Sequence, residues 1–127
     1  MGITLKSFFK FIQDKWLLVT GIIVALISIL SLYPVESLPP VPGTDKTHHF
    51  IAYAALAFPL ALARPKMWLA GIIVMLGYSG AIELIQPYVN RYGEWLDLGA
   101  NALGLVFGII AASLIRFIFL KQKTAQQ

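Results

Sequence analysis

Apolar residues fall along this chain in long blocks separated by short polar or helix-breaking stretches, rather than at every second or fourth position. Leu17 to Tyr33 is an uncharged run of seventeen residues. It follows the basic residues Lys6, Lys10 and Lys15, and Trp16 and Tyr33 stand at its ends as interfacial anchors. Such a run is long enough to cross roughly 30 Å of hydrocarbon. A cleaved signal peptide is the competing reading, but the run exceeds a usual apolar signal core, and Tyr33-Pro34-Val35-Glu36 offers no small-x-small cleavage site. Ser37 to Thr44 contains Pro39, Pro40, Pro42 and Gly43, which cannot propagate a helix, so an extended surface connection is predicted there.

Phe50 to Ala63 is the second block, and its fourteen residues fit a re-entrant or buried segment about as well as a span. Extended back to Asp45 it reaches nineteen. Met67 to Ile82 is the third block and Leu98 to Leu120 the fourth, broken only by Arg116 near its end, where a long side chain can reach the headgroups. The pattern predicts an all-α fold, a bundle of four transmembrane helices over about 17–33, 47–63, 67–86 and 97–120, forming one domain over residues 1–127. In the fourth helix Ala100, Gly104, Gly108 and Ala112 place a small residue at every fourth position, a seam that lets a neighbouring helix come close. Ala52, Ala54, Ala55, Ala57, Ala61 and Ala63 in the second helix, and Gly71, Gly77 and Gly80 in the third, extend the expectation of a tight bundle.

Composition strengthens this reading. With 127 residues, 58% apolar and 13% charged, the chain has too little polar surface to cover a water-soluble domain of its size. Its net charge of +4 would suggest nucleic acid in a soluble protein, but the positions of the charges argue otherwise. Four spans put Lys6, Lys10, Lys15, Arg64, Lys66, Arg116, Lys121 and Lys123 on one side, and only Lys46 and Arg91 on the other. The positive-inside rule then places both termini in the cytoplasm. The same arrangement puts Glu36, Asp45, Glu83, Glu94 and Asp97 at or near the extracytoplasmic face. A re-entrant second block would move Arg64 and Lys66 outside and reverse the fourth helix, so the charge distribution favours four spans. No nucleic-acid partner is expected. The absence of cysteine excludes disulfides, thiolate metal sites and cysteine nucleophiles.

The remaining polar residues collect at one depth. Asp45, His49 and Tyr53 are spaced four and four along one helix face, with Lys46 beside them. Glu83 and Gln86 share a face before Pro87 ends the third helix, Arg91 lies in the following loop, and Asp97 and Asn101 are four apart at the start of the fourth helix. His49, oriented by Asp45, has the character of a general base or proton relay, with Glu83 as its acid partner. The alternative is a buried histidine satisfied by a carboxylate, with Glu83 merely neutralising Lys46 or Arg91. Lys46 and Arg91 suit an anionic headgroup, arginine bidentately and lysine as a point charge; otherwise they pair with Asp97 or Glu83. Asp97, Gln86, Asn101 and Tyr53 complete the binding set. No metal is expected: a His-Glu-x-x-His pattern is missing, and lysine and arginine in the cluster repel a cation. Ser79 and Ser31 have no histidine at a helical spacing, and phosphate-binding glycine loops are absent, so neither a serine nucleophile nor a nucleotide or other cofactor is expected.

Taken in order, Asp45-Lys46-x-x-His49-Phe50-x-x-Tyr53, Glu83-x-x-Gln86, Arg91 and Asp97-x-x-x-Asn101-x-x-Gly104-x-x-x-Gly108 resemble the signature of the VanZ-like membrane family, over residues 45–108. His49 rather than His48 takes the family position, being four residues from both Asp45 and Tyr53. The resemblance implies a small bacterial integral membrane protein of the cell envelope, some relatives of which are linked to reduced sensitivity to teicoplanin-type glycopeptides. It implies a location and an association, not a reaction, and leaves open whether the chain is an enzyme. The leading expectation is a site facing outward from the bacterial cytoplasmic membrane that binds, and as an enzyme would modify, an anionic lipid or lipid-linked cell-wall precursor. A non-catalytic protein, whose ion-pair network is structural and whose outer surface binds a drug, lipid or partner, is the second expectation. A transporter is the third, limited by the absence of a broken helix in a chain this short.

Overall fold

A computed structural model describes residues 4–33, 45–89 and 95–120, with Asp45 described by its backbone alone. Five α-helices and one 3-10 turn make up these segments: α1 (Leu5–Asp14), α2 (Trp16–Leu32), α3 (Asp45–Ala63), α4 (Trp68–Ile85), the turn Gln86–Val89, and α5 (Trp95–Phe119). The last four helices match the predicted apolar blocks, and α3 does begin at Asp45. The loop expected over Ser37 to Thr44 lies outside the described residues.

The basic segment before the first apolar block is itself a helix. Thr4 caps α1, its side chain accepting from the Ser7 backbone N–H at 3.1 Å, and the chain then turns at Lys15 so that α1 and α2 meet at 82°. Leu5, Phe8, Phe9, Phe11 and Ile12 line one side of α1, and Lys6, Lys10, Gln13 and Asp14 the other. Gln13 Nε2 donates to the Leu62 carbonyl at 3.0 Å, and Phe9 packs against Phe58 and Phe119, so α1 is fastened across the ends of α3 and α5.

The closest pairing in the bundle is α3 with α5. A Cβ placed on Gly104 would overlap the Phe50 carbonyl oxygen, and one on Gly108 would overlap the Ala54 carbonyl oxygen. Ala57, Ala61 and Ala112 are fully buried along this seam. The predicted small-residue seam of α5 is thus real. In α4 the expectation fails: nothing lies within 4 Å of a Cβ added at Gly77 or Gly80, and Gly71 meets only the end of the Leu60 side chain. Smallness permits close approach without compelling it.

Trp68–Val89 and Trp95–Phe119 are each long and apolar enough to cross a membrane, and α1 with α2 would supply a third crossing if that bent pair formed one span. The first turn of α3 carries Asp45, Lys46, Thr47, His48 and His49, and Pro59 lies inside the helix, where it offers no N–H to the Ala55 carbonyl. These polar positions explain why α3 does not stand out as a span by composition. They also place its chemistry.

Candidate functional site

The start of α3, the end of α4 and the start of α5 meet at one end of the bundle. There a chain of polar contacts runs from the surface inward. The Lys46 ammonium lies 2.7 Å from Asp97 Oδ1, and its side chain remains 39% exposed while that of Asp97 is 3% exposed. Asp97 Oδ2 faces His49 Nε2 at 3.5 Å. His49 Nδ1 meets Asn101 Oδ1 at 2.9 Å, and Asn101 Nδ2 donates to Ser79 Oγ at 2.6 Å. Asn101 and Ser79 have no solvent exposure.

Asn101 orients the imidazole. Because its amide nitrogen is turned to Ser79, its carbonyl oxygen faces His49 and can only accept, so Nδ1 carries the hydrogen. Nε2, the other ring nitrogen, faces the Asp97 carboxylate. The 3.5 Å separation exceeds that of an ordinary hydrogen bond.

Three helices hold this arrangement. Lys46 and His49 lie on the first turns of α3, Asp97 and Asn101 on those of α5, and Ser79 and Glu83 one turn apart on α4. Glu83 is 5% exposed, and its carboxylate comes within 4.8 Å of ligand atoms of His49 and Asp97. These three side chains form the one group among the described residues that could converge on a cation, although the Lys46 ammonium already occupies Asp97. Gln86, one turn beyond Glu83, donates to the Ser31 carbonyl of α2 at 3.0 Å and ties the second helix to the site. Tyr53 is 2% exposed and stacks near Tyr78, with ring centroids 6.4 Å apart; it is an interior residue, not the interfacial anchor its type suggests.

The sequence therefore predicted a set of residues that the fold largely does bring together. His49, Lys46, Glu83, Asp97 and Asn101 assemble, while Gln86 and Tyr53 flank them. Arg91 and the Asp45 side chain lie outside the described residues. Asp97 and Asn101 of α5 are the partners of His49 among the described contacts, and the expected contact with Asp45 lies outside the described residues. Ser79 is the member that sequence reasoning passed over, dismissed as a nucleophile although it precedes Glu83 by four residues on the same face.

A buried polar network at one end of an apolar helical bundle is the construction of a membrane protein with a site near one interface. Residues 2–116 match the family model described as VanZ/LLP1, and the chain belongs to that family. The match takes in α1 and α2, which the motif resemblance over residues 45–108 had left out. No curated protein and no solved structure matches the chain.

Proposed function

We propose that this end of the bundle is a headgroup site that binds an anionic lipid or lipid-linked cell-wall precursor at the extracytoplasmic face of the bacterial cytoplasmic membrane. The observation that carries the reading is the graded exposure of the network, from a Lys46 that is 39% exposed to an Asp97 that is 3% exposed and an Asn101 that is fully buried. A cation at the rim suits an approaching phosphate or carboxylate, and the charge distribution of the sequence gives Arg91 as the other basic residue on that side. His49, with Nδ1 held by Asn101, and Glu83 supply the groups for proton transfer should the bound lipid be modified. The charge distribution that puts both termini in the cytoplasm supports the outward orientation, with α2, α3, α4 and α5 as four spans. The family resemblance adds an association with teicoplanin sensitivity.

Native mass spectrometry of the monodisperse protein tests the binding. Wild type should retain a defined anionic lipid that both Lys46→Ala and Arg91→Ala release; retention by both variants at wild-type occupancy would remove the headgroup site. His49→Ala should remain folded, costing about 1 kcal/mol for the hydrogen bond to Asn101. It should nonetheless lose its effect on the teicoplanin sensitivity of cells expressing it. A folded variant with wild-type effect would end the role given to His49.

The ion pair from Lys46 to Asp97 favours a second reading, in which the network only locks the helices and the outer surface binds a drug, lipid or partner. Under it, loss of effect should follow loss of thermal stability across the variants.

A further inference from the structure

We propose that Arg64 and Arg116 form a second anion site, at the opposite end of the bundle, which holds the phosphate of an anionic phospholipid in the leaflet bordering α1. Both guanidinium groups are positioned by the last turn of α3. Arg64 Nε donates to the Ala61 carbonyl at 3.3 Å and its Nη2 to Ser113 Oγ at 2.5 Å, and Arg116 Nη1 donates to the Leu62 carbonyl at 2.6 Å. They lie within electrostatic reach of one another, yet neither forms an ion pair among the described residues. Asp14 is the one described carboxylate at this end, and Lys10 holds it at 3.1 Å. Two like charges held together with no carboxylate, each with N–H donors to spare, match the oxygens of a phosphate.

The backbone has been bent to make this arrangement. Arg64 has φ of 50°, a left-handed conformation that a residue with a Cβ rarely adopts, at the point where the chain leaves α3. That turn lays its guanidinium over the Trp68 ring, 4.8 Å from the centroid, and against α5. A glycine would make the turn without strain but would carry no charge to this position.

The neighbouring helix identifies the source of the phosphate. Gln13 of α1 donates to the same Leu62 carbonyl that accepts from Arg116, so α1 borders the pair directly. Leu5, Phe8 and Phe11 remain 62%, 49% and 54% exposed on the apolar side of α1, and Leu17 and Leu18 at the start of α2 are exposed as well. Lys6 and Lys10 occupy the opposite side. A helix of this pattern lies in the interface with its aromatic side in the acyl boundary and its lysines among the headgroups. This puts the arginine pair at headgroup depth, and Lys15 and Lys66 nearby in sequence add to a field that favours net-negative lipid.

Titration of the detergent-solubilised protein with dioleoyl phosphatidylglycerol or dioleoyl phosphatidylcholine, followed by native mass spectrometry, tests this. Measured in Lys46→Ala, which removes the cation at the other end, one phosphatidylglycerol should bind, and adding Arg64→Gln/Arg116→Gln should weaken it at least about tenfold. Failure of the first site would show only in Lys46→Ala and Arg91→Ala, so the two outcomes are separable. Unchanged phosphatidylglycerol affinity in the double variant, or equal affinity for phosphatidylcholine in wild type, would overturn the proposal. So would displacement of the lipid by millimolar inorganic phosphate, which would make the site one for a soluble anion. If the double variant does not remain monodisperse, Arg64→Gln alone should still weaken binding about fivefold, and wild-type affinity there would overturn it.

Discussion

Gly104→Ala is expected to destabilise the bundle by about 3 kcal/mol, and Gly108→Ala by a similar amount, at the upper end of what overpacking costs. The new methyl at position 104 would overlap the Phe50 carbonyl oxygen and lie 3.1 Å from both the Ala54 nitrogen and the Phe50 carbonyl carbon. At position 108 it would overlap the Ala54 carbonyl oxygen and lie 3.1 Å from the Ala57 Cβ. Backbone atoms of α3 cannot rotate out of the way as a side-chain tip can, so α3 and α5 must separate. Separation also lengthens the contacts from His49 to Asp97 and Asn101, which cross the same helix pair. Thermal unfolding in detergent should show the loss, with Gly99→Ala and Gly80→Ala as controls. Nothing lies within 4 Å of a Cβ added at either control position, so alanine there should be neutral or should stabilise by up to about 1 kcal/mol through helix propensity. A Gly104→Ala protein as stable as Gly99→Ala would mean that the two helices do not make this contact.

The seam was legible because a small residue at every fourth position of α5 has one main use between membrane helices. Gly77 and Gly80 show the limit of that reasoning. A small residue states what can approach, and the partner's own surface decides whether it does. Helix α1 was legible in principle and missed in practice. Leu5, Phe8, Phe9 and Ile12 stand at spacings of three, one and three, a helical apolar stripe, but the interspersed lysines read as the basic flank of the next block. The 82° turn at Lys15 has no comparable signal, since neither proline nor glycine marks it.

At the site the same division holds. Intrahelical spacing correctly put Asp97 with Asn101 on one face and His49 with Lys46 near one helix end, because the 3.6-residue period fixes those relations locally. Partners between helices depend on how far one helix has slid along another, which no single segment encodes. Asp45, four residues from His49, is a candidate that helical spacing offers, while Asp97 and Asn101, some fifty residues along the chain, are partners that only the packing of α3 on α5 supplies. Ser79 is the member passed over. Judged alone as a nucleophile it had no histidine at helical spacing, yet with Glu83 and Gln86 it forms a polar stripe at spacings of four and three, which marks the interior face of α4.

Asp97 is where the functional and purely structural readings of this stripe diverge most. Its carboxylate takes the Lys46 ammonium on one oxygen and faces His49 with the other, so Asp97→Leu removes the counter-charge it presents to a partly buried cation and to the histidine. Removing one partner of a buried pair costs about 3–5 kcal/mol; with Lys46 39% exposed, water takes up part of the charge and about 2–3 kcal/mol is expected. Lys46→Met combined with Asp97→Leu should recover most of that loss, because an apolar pair of similar volume removes both desolvation penalties. Lipid retention and the effect on teicoplanin sensitivity should not recover with it, since the rim cation and the carboxylate facing His49 Nε2 are both gone. A stable double variant that regains lipid and effect together would reduce the network to a helix lock. A stable double variant that regains neither assigns these charges to the ligand, because stability and function would then have been separated at the same two residues.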